Sequence, residues 1–523
     1  MTVKYVSVEE MIAIEQAADA AGHSYRAMME AAGLGLAEEI QERFGDTPDK
    51  MKMIGLVGSG NNGGDALVAL DHLHGWGWAT TALLLKSREE DDPLIVRYRQ
   101  SGGRLLECTK LDPCLEVLKK EILSSDFVLD GVLGTGIRLP IRGELAGLLS
   151  AVKSLLEGEE DSPLVVAVDC PSGIDCDTGE VDPACIPADL TVTMAAVKQG
   201  LLEFPAYASL GELTLVGIDL PEGLEAWEKI SRGVVDAASV RSVLPARPLQ
   251  SHKGTFGTAL LLAGSGSYPG AALLAAEGAY KVGTGLVQIG SIPAVRTALA
   301  GQLPEVIWAP LEDRGGWISG DAAEQLVGPL ERATALLIGP GLGHQTVTFT
   351  FLQDLLEGPG LPPMVVDADG LRMISQLQDW QTLLPGETVL TPHPGEMAEM
   401  TGWTVPEIQA DRVKAAEHFA GKWNQVVVLK GAHTVVASPD GKTRLIPVAS
   451  PALAKAGTGD VLAGMITGLR AQGADAFEAA WAAAWLHGRA GQAAAEYLGG
   501  TVSVLAGDVL DAVVDVLSWV EDL

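Results

Sequence analysis

At 523 residues the chain is too long for one ordinary core, and its 47% hydrophobic content with 62 glycines suits two or three α/β domains. A formal charge of −32 argues against nucleic acid or anionic membrane as partners, so a phosphorylated ligand should be held by backbone N–H groups rather than a basic patch. No uncharged apolar run reaches the roughly 18 residues of a membrane span, and the acid-containing start does not read as a secretory peptide, so we expect a cytoplasmic protein.

In chain order, residues 8–44 read as helical, with Ser7 as cap, Glu10 as its capping-box partner, and Met11, Ile14, Ala17 and Ala18 at helical spacing. Apolar strand signals then alternate with helices: MIGLVG (53–58) with a helix near 64–75, TALLL (81–85), FVLDGV (127–132), LVVAVD (164–169), LTVTM (190–194) and LTLVGI (213–218). Short apolar runs separated by helices predict a parallel sheet covered on both faces, a three-layer α/β/α arrangement. Residues 221–250 contain Pro245 and Pro248 and show no clear strand, which places a boundary near 225–245. A second alternation follows: TALLLAG (258–264), LVQIGS (286–291), ALLIGPGLG (335–343), MVVDADG (364–370), TVLTPHPGE (388–396) and the strand–turn–strand QVVVLKGAHTVVAS (425–438). An Ala-rich helical region fills 458–495. The result is two tandem α/β domains, 1–225 and 240–523. The five cysteines are sparse, odd in number and without a C-x-x-C pair, so free thiols in a reducing compartment are expected.

In the first half, GLVGSGNNGGDAL (55–67) joins a strand to a helix through glycines and offers N–H groups to a phosphate. The amide oxygens of Asn61 and Asn62 suit a hard cation, and Asp65 adds charge at the helix start. Two further strand ends carry Asp130 with a second Gly-rich loop, and Asp169 followed by Ser172 and Asp175. Ligands of parallel sheets bind beyond such ends. Asp175 and Asp177 read as turn or cap residues, whereas Asp169 reads as functional.

NNGGD, the GTG-x-x-LP loop and VD-x-PSG-x-D resemble the NAD(P)H-hydrate epimerase family over about residues 5–220. The resemblance implies a Rossmann-like fold. It also implies that the hydrated cofactor is bound by Asn61, Asn62, Gly63, Gly64 and Asp65, by Gly134, Thr135, Gly136, Ile137, Arg138, Leu139 and Pro140, and by Asp169. A potassium ion is implied near Asn62, Asp130 and Ser172. Ala66 departs from the family, which usually has Gly there. The implied chemistry inverts C6 of the reduced nicotinamide ring and needs a carboxylate to shuttle a proton, for which Asp169 is the first candidate and Asp65 the second.

In the second half, AKAGTGDVLAGMITGL (454–469) opens a helix on GTGD, so that N–H groups of 457–460 form an anion hole beside Asp460. LKGAHTVV carries Lys430 and Thr434, suited to nucleotide phosphates. TPHPGEM places His393 and Glu396 after a strand, where Glu396 is a candidate for Mg²⁺, directly or through water. Together with IGPGLG and YPGAALLAAEGAYKVGTGLV, these motifs resemble the ADP/ATP-dependent NAD(P)H-hydrate dehydratase family, within the ribokinase-like superfamily, over about 245–515. The resemblance implies that Lys430, Gly431, Ala432, His433, Thr434 and Gly459 contact the nucleotide. Asp460, His393, Gly341 and a residue near Ala271 or Ala272 contact the hydrated cofactor. The mechanism the resemblance implies is phosphorylation of the C6 hydroxyl by ADP, with Asp460 as base, followed by loss of phosphate. A homo-oligomer is expected. Two rivals remain: a ribokinase-like small-molecule kinase with an N-terminal nucleotide-binding domain, and a non-enzymatic protein whose first half is a dinucleotide-sensing or partner-binding module.

Overall fold

The computed structural model describes residues 3–45, 51–158 and 162–523. They divide into two compact units, Val3–Ile230 and Ser231–Leu523. Among the described residues no helix is long and apolar enough to cross a membrane.

The first unit contains strands β1 (Val3–Val6), β2 (Lys52–Val57), β3 (Ala79–Leu84), β4 (Arg104–Glu107), β5 (Phe127–Gly131), β6 (Leu164–Val168), β7 (Leu190–Met194), β8 (Val197–Lys198) and β9 (Glu212–Val216). Seven of them form an all-parallel sheet in the order β4-β3-β2-β5-β6-β7-β9, and β1 pairs in parallel with β8. The chain steps outward from β2 on one side, then restarts at β5 on the other. A crevice therefore opens beyond the carboxyl ends of β2 and β5, the station where open α/β sheets hold ligands.

Strand side chains alternate between two cores. Met53, Val57, Phe127, Leu129, Val166 and Val168 pack with Ile14, Leu36 and Leu70 from helices on one face. Ile54, Leu56, Val128, Val165 and Ala167 pack with Leu118 and Leu148 on the other.

The helical stretch 8–44 is two helices, Val8–Ala20 and Tyr25–Phe44. Gly22 at φ 97° ends the first, and Ser24 caps the second. The Ser7/Glu10 capping box forms as expected. The helix after β2 starts at Asn61, so NNGGD is its first turn rather than the loop before it. Its glycines serve close packing: a Cβ at Gly63 would lie 2.2 Å from the Gly58 carbonyl oxygen.

One sequence expectation is overturned. Cys108 and Cys114 form a disulfide, with Cα atoms 5.5 Å apart, while Cys170, Cys176 and Cys185 are free and buried. The chain turns from the end of β4 into the helix Leu111–Leu123, which brings two thiols six residues apart together without a C-x-x-C spacing.

The second unit contains β10 (Arg232–Val234), β11 (Thr258–Leu262), β12 (Leu286–Ser291), β13 (Ile307–Pro310), β14 (Ala335–Ile338), β15 (Met364–Val366), β16 (Val389–Leu390), β17 (Val426–Leu429), β18 (Val435–Ala437) and β19 (Thr443–Leu445). They run in the order β13-β12-β11-β14-β15-β16-β17-β18-β19-β10. The sheet is parallel from β13 to β17, then mixed: β17–β18 and β18–β19 are antiparallel, and β10 pairs in parallel with β19. The five residues 430–434 are too few for a crossover, so the chain must reverse there. β10 falls in the stretch that shows no strand in the sequence. At three residues, one of them glycine, it carries no readable period.

The Ala-rich region is two helices, Thr458–Ala471 and Ala476–Tyr497, the second capped by Asp475. Helix Thr458–Ala471 packs against Pro269–Lys281 through glycines. A Cβ at Gly464 would lie 2.0 Å from the Ala275 carbonyl oxygen, and one at Gly278 2.6 Å from that of Val461. Gly464→Ala should therefore destabilise this unit by about 1–3 kcal/mol, the usual cost of overpacking. A urea unfolding midpoint equal to wild type would refute the close approach.

Candidate active sites

In the first unit the crevice is a cleft of about 840 Å³. Asn61, Asn62 and Asp65 enter it from the helix Asn61–Gly75, Gly134 to Ile137 from the loop after β5, Asp169 from the end of β6, and Lys198 from β8. Helix Val8–Ala20 contributes Met11 and Glu15.

Asp169 has φ 64°, a left-handed backbone that Asp tolerates. Its Oδ1 accepts from Thr193 Oγ1 (3.0 Å), from the Met194 N–H (3.0 Å) and from Lys198 Nζ. Burial, then the nearby Asp169 and Glu15 charges, hold the Asp65 carboxyl well above the usual carboxylate range, against the pull of Lys198. Burial likewise raises Glu15.

Beneath this, Asp130 is fully enclosed. Its oxygens accept from the Ser172 N–H (2.7 Å), Ser172 Oγ (2.6 Å) and the Val132 N–H (3.3 Å). Asn62 Nδ2 donates to the carbonyls of Leu133 (3.0 Å) and Val168 (2.7 Å). Arg88 ties the loop after β2, donating to the carbonyls of Gly58 (2.9 Å) and Gly60 (3.1 Å) and pairing with Asp92 at 2.8 Å.

In the second unit Gly457, at φ 94°, caps the helix that carries Asp460 in its first turn. Lys430, at the end of β17, donates to Asp367 Oδ1 (2.6 Å) and lies 3.7 Å from Glu396 Oε2. Thr391 Oγ1 donates to the same Asp367 oxygen at 2.7 Å. A Cβ at Gly459 would stand 3.6 Å from Lys430 Nζ, so the ammonium borders the helix start. Burial pushes the Asp460 carboxyl up to about 7; Asp367, Asp369 and Glu396 add to this and Lys430 opposes it. Burial alone would lower the Lys430 ammonium, but Asp367, Glu396 and Asp460 outweigh it and hold the group protonated.

Residues 25–200 match the family described as YjeF-related protein N-terminus, and residues 259–513 match NAD(P)H-hydrate dehydratase. The bifunctional NAD(P)H-hydrate repair enzyme of Moorella thermoacetica is 38% identical over 95% of this chain and 93% of its own. That of Thermofilum pendens is 34% identical over 95% and 93%. The chain belongs to the bifunctional NAD(P)H-hydrate repair enzyme family. Among solved structures, the ADP/ATP-dependent NAD(P)H-hydrate dehydratase of Bacillus subtilis, co-crystallised with ATP and Mg²⁺, is 38% identical. That match covers 55% of this chain and 98% of the other, with a TM-score of 0.48.

The structure gathers most of the family-type residues into these two sites. Gly63 and Gly64 lie buried under the first cleft. Its lining runs from Gly134 to Ile137, while Arg138, Leu139 and Pro140 fall outside it. Asp175 and Asp177 are structural: Asp175 closes a turn through the N–H groups of Asp177 and Thr178, and Asp177 accepts the Val8 N–H. In the second unit a Cβ at Gly341 would meet Ala271 at 2.8 Å, whereas Ala272 is fully buried and offers a ligand no side-chain surface. His393 Nδ1 accepts the Gly395 N–H at 3.0 Å, and the His393 backbone N–H donates to Glu396 Oε2 at 2.9 Å. Thr434 Oγ1 donates to the Gly431 carbonyl (3.0 Å), and the His433 N–H donates to that of Val448.

Sequence reading missed Glu15, Lys198 and Asp367. Lys198 is a single charge in the otherwise uncharged run 190–202, and Asp367 is the first acid of MVVDADG; both sit where a buried strand stops, but no local motif marks the charges that face them. Glu15 shares a helix with core residues and gave no separate signal.

Two pH effects follow for Asp460. On the expectation that Asp460 is the base, which works ionised, dehydration should rise with pH through about 7 and then level off. Its folded value lies above the unfolded one of roughly 3.9. The stability this contributes is present below that value and is lost as pH rises to about 7. Asp460→Asn removes the loss, so its melting temperature should gain on wild type between these limits. A difference that stays constant with pH would contradict the raised carboxyl.

Proposed function

We propose that the chain repairs hydrated NADH and NADPH, with residues 1–225 epimerising the R and S forms at C6 and residues 240–523 dehydrating the S form with ADP as phosphoryl donor. The observation that carries the second activity is Asp460 at the open start of the helix Thr458–Ala471, bordered by Lys430. The N–H groups at that helix start attract the terminal phosphate. Lys430 balances its charge, and Gly431 to Thr434 with Gly459 line the nucleotide. Asp460 takes the proton of the C6 hydroxyl, whose oxygen attacks the terminal phosphoryl group and displaces AMP. Phosphate then leaves C6 with its bonding pair, the ring nitrogen supplies the push, and loss of a proton from C5 restores the double bond. The protein's part is positioning and charge stabilisation.

Mg²⁺, when bound with the nucleotide, neutralises charge on the transferring phosphoryl group. Glu396 already accepts the His393 backbone N–H and faces Lys430, which favours reaching the metal through water over direct ligation. Potassium fits the first unit: Asp130 is a buried carboxylate with hydroxyl and amide neighbours, and among the described residues no cationic side chain pairs with it. Asn62, Asp130 and Ser172 would hold the ion with hard oxygen donors. Its charge would steady the loops bordering the cleft, where Asp169, with Asp65 second, moves the proton. Cytoplasmic placement and a homo-oligomeric state belong to the same proposal.

The test is incubation with mixed R and S hydrates, Mg²⁺ and either ADP or ATP, followed by NADH absorbance. Full recovery of both epimers is expected. A stall at the S fraction removes the epimerase, and release of a stable phosphorylated product favours a kinase. Asp460→Asn should abolish dehydration and leave epimerisation intact.

A further inference from the structure

Within the cleft of the first unit, whose lining also includes Arg26, Lys86 and Asp92, three carboxyls, Glu15, Asp65 and Asp169, interact with one buried ammonium, Lys198. Lys198 is almost fully enclosed and directs its three N–H donors at Asp169 Oδ1, Thr193 Oγ1 (3.2 Å) and the Met194 carbonyl (2.8 Å). Asp169 Oδ1 accepts in addition from the Thr193 hydroxyl and the Met194 N–H, both at 3.0 Å. Three donors saturate that oxygen. Among the described residues Oδ2 has no protein donor, and it is the atom left for a ligand in the cleft. One buried ammonium balances one carboxylate, and a second ionised acid beside it would be an uncompensated buried charge.

We propose that Lys198 is a positioning residue for epimerisation: by clamping Oδ1 it holds Asp169 with Oδ2 toward the substrate as the proton acceptor, and so leaves Asp65 as the carboxyl that gives a proton. This rests on the epimerase reading of the first unit. Asp65 protonates the C6 hydroxyl, the C6–O bond breaks and water leaves, while the N1 lone pair forms the N1=C6 double bond. Water then adds to C6 from the opposite face and passes a proton to Asp169 Oδ2, and the π pair returns to N1. The proton on Asp169 moves to Asp65 by way of Glu15 or solvent, driven by the restored contact between Lys198 and a carboxylate. The other epimer runs the same path in reverse. No oxidant or reductant is needed.

The experiment uses the full chain with purified R-hydrate, ADP and Mg²⁺, taking each variant's own rate on the S-hydrate as the control for the coupled dehydration and its thermal unfolding midpoint as the control for folding. Lys198→Met should lower kcat on the R form by at least about 100-fold, the scale of general acid–base catalysis, with KM nearly unchanged and the S-form rate intact. Thr193→Val removes one Oδ1 donor while keeping Lys198. It should lower kcat by about 10-fold, a test that holds even if the lysine variant folds poorly. Lys198→Met with Asp169→Asn removes both buried charges, so its unfolding midpoint should move back toward wild type while turnover stays lost. Retention of kcat by Lys198→Met or Thr193→Val, or a loss confined to KM, overturns the proposal. Wild-type protein that leaves the R form untouched overturns the epimerase reading, and the proposal with it.

Discussion

In each half of the chain a helix lies so close to its surroundings that a methyl group does not fit between them. In the first unit a Cβ at Gly58 would lie 1.9 Å from the Val132 carbonyl oxygen and one at Gly63 2.2 Å from that of Gly58. In the second, Gly278 and Gly464 let two helix backbones touch. These approaches fix free N–H groups at the carboxyl ends of parallel strands, where a dipole and unpaired donors favour an anion. That is how a protein of charge −32 can hold phosphorylated ligands without a basic surface.

Both sites also share a charge arrangement. One lysine, buried Lys198 or half-buried Lys430, stands among more carboxylates than it can balance. In each, burial and the surplus negative charge push acids upward: Asp65 and Glu15 in the first unit and Asp460 in the second. Separating the behaviour of neighbouring carboxyls by environment is how one fold supplies acid and base near neutral pH. The lysines differ in setting. Lys430 borders a helix start, whereas Lys198 is closed in by Thr193, Met194 and Asp169.

Much of this was legible in the sequence because parallel strands buried on both faces are written as continuous apolar runs. The runs at 53–58, 127–132, 164–169 and 335–343 each contain an observed strand, and the motifs at their ends mark the sites. Short or half-exposed elements left no such trace. β4 is a four-residue edge strand with no residue fully buried, and β10 has three residues. The break at 21–24 rested on one glycine inside a long helical pattern. The Cys108–Cys114 bond depends on a turn geometry that spacing alone does not encode. Lys198 and Asp367 were hidden for another reason: their importance lies in which charges face them across strands, a property of the sheet order rather than of any local motif.

The left-handed backbone at Asp169 has a bearing on how this protein can change over generations. Gly, Asn and Asp enter that region most readily, and β-branched or bulky residues are rare there. Of the three, only Asp carries charge. A lineage that loses the first activity should therefore drift to Asn or Gly here while keeping its fold, leaving a recognisable mark of a silenced site.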